Sequence, residues 1–104
     1  MKNFASIMKQ AQKMQEKMNE LQAQLETKIV ESSAGGGMVK VTANGRQEIV
    51  SIKIEPEVVS KVDVEMLEDL ILSAVNEARR KADELAKEEM AKLTGDLGLP
   101  GIFK

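Results

Sequence analysis

The sequence predicts an α+β fold in which two long helices flank a short antiparallel β-meander. Three observations carry that prediction. Apolar residues at Phe4, Ile7, Ala11, Met14, Met18, Leu21 and Leu25 step by alternating threes and fours, the a/d seam of a coiled-coil helix. Met38 to Ala43 alternates at period two and runs into Asn44-Gly45, the strongest short hairpin signal. Beyond Pro56 the apolar spacing becomes helical again, from Leu67 onward. The chain is therefore divided into a helical arm over 3–26, a meander over 27–55, a second helix over 63–94 and a Gly/Pro-containing apolar tail over 95–104, all within one domain spanning 1–104.

The first helix should end near Glu26, where the heptad fails and Thr27-Lys28-Ile29-Val30 turns β-like. At about 1.5 Å per residue its roughly 24 residues reach about 36 Å. A compact domain of this size has a radius of gyration near 13 Å. An arm of that length must project from the body or lie along a partner. Ala34-Gly35-Gly36-Gly37 reads as a turn, because three glycines allow positive φ and weaken helix and strand alike. A two-residue type I′ turn at Asn44-Gly45 would pair Ala43 with Arg46, Val41 with Glu48 and Val39 with Val50. That register gathers Val39, Val41, Val50, Ile52 and Ile54 on one core face and leaves Lys40, Thr42, Gln47, Ser51 and Lys53 on a wet one. A three-stranded sheet has two edges, and pairing between subunits would bury one.

Pro56 closes the sheet, and Asp63 is placed to cap the second long helix. Its first half, with Leu67, Leu70, Ile71, Leu72, Ala74 and Val75, should lie on the sheet. Its second half thins to Ala78, Ala82, Leu85 and Met90 among charges and should protrude. Gly95 is the expected C′ residue.

Composition narrows the function. The chain has no Cys, His, Trp or Tyr, which removes thiol chemistry, the commonest general base and the commonest transition-metal ligand. No carboxylate sits in an apolar setting that would tune it for acid–base work. No enzyme activity, cofactor or metal site is expected. Gly35-Gly36-Gly37 lacks the following Lys-Ser/Thr of a phosphate loop. No stretch approaches the roughly 20 apolar residues of a membrane span, and the amphipathic start is unlike a signal peptide, so a cytoplasmic protein is expected. A small core divided among long elements favours oligomerisation.

Net charge is −2, yet the acids concentrate in residues 55–75, where six face a single Lys. The arms are neutral to basic. In seam numbering Lys2 and Lys9 fall at f, Lys13 at c and Lys17 at g, all pointing away from the a/d contact. Arg79, Arg80, Lys81, Lys87 and Lys92 follow on the second helix. Glu77→Lys81, Asp83→Lys87 and Glu88→Lys92 have the i,i+4 spacing that satisfies such charges locally. Spacing alone thus leaves two readings open, a solvated face or a phosphate-binding one.

Four stretches carry a family resemblance. They are Met8-Lys9-Gln10-Ala11-Gln12-Lys13-Met14-Gln15; Gly36-Gly37-Met38-Val39-Lys40-Val41-Thr42-Ala43-Asn44-Gly45; Met66-Leu67-Glu68-Asp69-Leu70-Ile71 leading to Ala74-Val75-Asn76-Glu77-Ala78; and Leu93-Thr94-Gly95-Asp96-Leu97-Gly98-Leu99-Pro100-Gly101. Together, in this order, they resemble the YbaB/EbfC family of nucleoid-associated proteins over nearly the whole chain. The resemblance implies a tweezer-like homodimer in the cytoplasm and nucleoid that binds double-stranded DNA, bends or coats it and influences gene expression. It also implies that the terminal helices make the contacts, which points to Lys9, Lys13, Lys17, Arg79, Arg80, Lys87 and Lys92. Val39, Val41, Val50, Ile52, Ile54, Leu67, Leu70 and Ile71 are the expected core and dimer residues. With two aromatic residues in all, stacking on single strands is not expected, so backbone and duplex shape should dominate. The alternative is a non-enzymatic adaptor for replication or recombination proteins, or a prefoldin-like holdase. It would grip through Met8, Met14, Met18, Leu97, Leu99, Ile102 and Phe103.

Overall fold

The computed structural model describes residues 2–96. Helix α1 spans Lys2–Thr27, strands β1, β2 and β3 span Ile29–Ala34, Val39–Asn44 and Ile49–Ile54, a short helix α2 spans Pro56–Lys61, and helix α3 spans Val64–Asp96. The strands form one antiparallel sheet in the order β1-β2-β3. The α+β class and the helix–meander–helix order are those the sequence predicts. Helix α2 is an addition: Pro56 supplies the preset φ of a first helical turn, and Val58 is buried beneath it. Asp63 caps α3 by accepting the Met66 N–H at 2.7 Å. Gly95 does not end the helix, which continues through it to Asp96. The tail residues Leu97, Leu99, Ile102 and Phe103 lie outside the described residues.

The core sits between α3 and the sheet. Val39, Val41 and Ala43 of β2 are fully buried against Ala74, Ala78 and Ala82, an i,i+4 stripe along α3. Val30, Ala34, Ile54, Leu67, Leu70, Ile71 and Val75 pack around them, half-buried. Ser32 is buried too, its hydroxyl donating to the Ala74 carbonyl and pinning β1 to the helix. Short side chains on both surfaces let helix and sheet approach closely.

The predicted hairpin register requires correction. Gly45, Arg46 and Gln47 form a three-residue loop, with Gln47 N–H bonded to the Asn44 carbonyl at 3.0 Å and Asn44 N–H to the Glu48 carbonyl at 3.0 Å. The left-handed residue is Gln47, at φ 65°. Asn44 drives this choice, because its side-chain oxygen accepts the N–H groups of both Arg46 and Glu48 and stabilises the wider loop. Val39 therefore faces Ile54, Lys40 faces Lys53, Val41 faces Ile52 and Thr42 faces Ser51, with a bulge between Thr42 and Ala43. Val50 falls at the irregularity and is 57% exposed.

Helix α3 covers β1 and β2 and scarcely reaches β3. Ile52 stands on the core face opposite buried Val41 and is nonetheless 46% exposed. The α1 seam is likewise partnered only at its end. Leu21 and Leu25 are buried, Met14 and Met18 half-buried, and Phe4 and Ile7 are 65% and 60% exposed. The resulting molecule is long and thin, 71 × 21 × 18 Å, with a radius of gyration of 19.6 Å.

Candidate nucleic-acid interface

The arm is rooted at the β2–β3 hairpin loop. Gly45 N–H donates to the Leu25 carbonyl at 2.8 Å and to the Lys28 carbonyl at 3.0 Å, so the last turn of α1 rests on the loop. Arg46 reaches Glu26 at 3.7 Å, and Lys28 crosses to Glu89 of α3. The hydrogen bond from Lys28 holds the Glu89 carboxyl below its ordinary range. These contacts fix the departure angle of α1, whose N-terminal half then carries its charges away from the body.

On that half, Ser6, Lys9, Gln10, Gln12, Lys13 and Glu16 line an open depression of about 500 Å³. Lys9 and Lys13 are exposed and make no ion pair among the described residues. The stripe thus offers two free ammonium groups beside glutamine amides, a donor set suited to phosphate oxygens. Lys17 lies farther down, 3.6 Å from Glu20, in a cleft of about 250 Å³ between α1 and α3 that Glu89 and Lys92 also line.

The basic residues of α3 are arranged differently. Arg80 is held between Glu77 and Glu84, and the bond to Glu77 holds its guanidinium still more firmly protonated. Lys87 pairs with Asp83 at 3.0 Å, at the spacing the sequence suggested. Lys92 pairs with Glu89 at 3.7 Å, not with Glu88. Lys81 leaves Glu77 and donates to the Glu31 carbonyl on the β1 edge, a long-range role within the chain that local spacing does not reveal. Arg79 is exposed and unpaired among the described residues. Of the seven basic residues singled out from the sequence, Lys17 and Lys92 share the interhelical cleft, Arg80 and Lys87 carry their own carboxylates, and Lys9, Lys13 and Arg79 are free.

Among the described residues no cluster of His, Cys, Asp or Glu is arranged to hold a metal ion. No described helix is long and apolar enough to cross a membrane.

Comparison with known proteins agrees with a DNA-binding reading. Residues 1–97 match the model of the YbaB/EbfC DNA-binding family. A nucleoid-associated protein of Thermoanaerobacter pseudethanolicus is 57% identical over 101 residues, covering 97% of this chain and 91% of that protein. Another, from Ruminiclostridium cellulolyticum, is 61% identical over 102 residues, covering 97% and 89%. Among solved structures, an uncharacterized protein of Helicobacter pylori superposes with a TM-score of 0.78 at 26% identity, covering 86% of this chain and 95% of that one.

Proposed function

The chain belongs to the YbaB/EbfC DNA-binding family, a class without enzymes, and we propose that it acts as a homodimer whose helical arms hold duplex DNA in the nucleoid by its phosphates. The observation that carries this reading is the pair of free lysines, Lys9 and Lys13, on an arm projecting from the body. Lysines already held by carboxylates must exchange one partner for another and gain little from phosphate. Free ones release counterions outright.

What the single chain leaves uncovered supports dimerisation. Ile49, Val50 and Ile52 on edge strand β3 and Leu72 on α3 are exposed apolar residues that a second copy would bury. The opposite edge is less open, because Lys81 occupies a β1 carbonyl. Two arms diverging from a shared body would straddle a duplex, contact backbone more than base edges and bend it where contacts on both sides pull. Effects on gene expression would follow from such coating.

The test reverses both free charges. Lys9→Glu/Lys13→Glu should keep the dimer mass in sedimentation and lower affinity for a random duplex by tenfold or more, read by fluorescence anisotropy at about 0.1 M salt. Lys87→Glu, whose parent already pairs with Asp83, should change it far less. Unchanged binding by the double variant would reject the arms as the contact. Phe4, Ile7 and Met8, exposed on the same arm, favour a second reading in which α1 docks a protein partner as an adaptor for replication or recombination proteins or as a holdase. Under that reading the double variant binds DNA like the parent, while polar replacements of Phe4 and Ile7 release the partner.

A further inference from the structure

We propose that the open face of the sheet is a second phosphate-binding site, built on Lys40 and Lys53, that holds the sugar–phosphate backbone of nucleic acid away from the arms. It rests on the DNA-binding reading above and names a contact that the terminal helices do not make. Helix α3 occupies one face of the sheet. Directly opposed residues share a face, so Lys40 and Lys53 stand together on the other, with Ser33 beside Lys40 on β1 and the Thr42–Ser51 pair in the next row.

Directly opposed strand residues have Cβ atoms about 5 Å apart, and like charges in that arrangement destabilise a sheet. Neither ammonium makes an ion pair among the described residues, although both are exposed. Thr42 and Ser51 satisfy each other at 2.6 Å, and Glu31, opposite Thr42 on β1, brings one exposed carboxylate to the neighbouring row without forming an ion pair with either lysine among the described residues. This is a conflict the fold leaves unresolved, in a chain that pairs most of the cations of α3. An anion between the two ammonium groups resolves it, through charge-assisted hydrogen bonds from flexible stems.

The space is there. An open cavity of about 310 Å³ adjoins the pair, lined by Gly37, Lys40, Lys53, Ile54, Glu55 and Pro56. Glu55 is exposed and adds one carboxylate to the lining. The lining has no aromatic wall to sandwich a base and no buried donor to select a sugar. Such a site suits a polymer backbone, which gains affinity from many shallow charge contacts, better than a small metabolite, which must be enclosed.

The test uses the full chain and the variant Lys40→Thr/Lys53→Thr, which keeps β-forming side chains. Two readings are taken: the melting temperature in phosphate against chloride at matched ionic strength, and the salt dependence of binding to a random duplex. Phosphate is expected to raise the melting temperature of the parent and not of the variant. The slope of log K against log salt should shrink by roughly two per protomer. A variant with parental affinity and slope overturns the inference, and the arms keep their role if Lys9→Glu/Lys13→Glu still loses binding. A parent chain that ignores duplex overturns both readings, even where phosphate alone stabilises it.

Discussion

A methyl group at Gly45 would stand 2.9 Å from the Leu25 carbonyl oxygen and 2.8 Å from a Leu25 methyl carbon, with backbone on one side and a buried side chain on the other. The residue is small because the end of α1 passes over it; its φ is not positive. Gly45→Ala should therefore lift the last turn of α1 from the loop and cost about 1–3 kcal/mol, as overpacking does. Urea unfolding followed by circular dichroism measures it. A cost within about 0.5 kcal/mol would show that the helix end shifts freely. The sequence located this turn correctly and misassigned its reason. Asn-Gly announces a hairpin from two residues, but the loop length depends on the two N–H groups that Asn44 collects, and the need for glycine depends on Leu25, twenty positions away. Partner-dependent constraints of that kind leave no local trace. The basic residues repeat the point. Of the three i,i+4 pairs read from helical spacing only Asp83–Lys87 forms, since Lys92 takes Glu89, Arg80 takes Glu77 and Lys81 goes to β1; these choices, like the free state of Lys9 and Lys13, required the fold.

Helix α3 meets the sheet through alanines. Ala74, Ala78 and Ala82 are fully buried, while Leu72 on the same helix is 60% exposed. Leu67, Leu70 and Ile71 reach the contact and are half-buried around it, but its centre is taken by residues short enough to let β2 come close. Ala78→Leu should force helix and strand apart at the centre of that stripe and destabilise the chain by about 1–3 kcal/mol, measured by denaturant titration. A neutral result would mean that the helix can slide along the sheet. The α1 heptad shows the complementary limit of pattern reading. A 3,4 repeat identifies the apolar side of a helix and says nothing about what faces it. In this chain only Leu21 and Leu25 are buried, so most of the seam stays open for another surface. The same holds for β3, whose alternation was visible but whose register was set by the loop before it.

At the scale of the molecule, an acidic total conceals a basic reach. The chain carries −2 overall, with its net negative charge gathered in residues 55–75, at the end of the sheet away from the arm root. An elongated body 71 Å long can hold such charges far enough apart for screening to isolate them, since the Debye length at physiological salt is about 8 Å. Under the proposed function the local free lysines would decide attraction to DNA, and affinity should be modest and steeply dependent on salt. The decisive measurement is anisotropy of a random-sequence duplex titrated with the wild-type chain between about 50 and 300 mM salt. Four phosphates held by the Lys9 and Lys13 pairs of a dimer give a log–log slope of about −4, and eight, with the Lys40 and Lys53 pairs added, give about −7. A straight line in that range is the expected result. A flat line, or no binding at the lowest salt, would contradict a clamp made of charge.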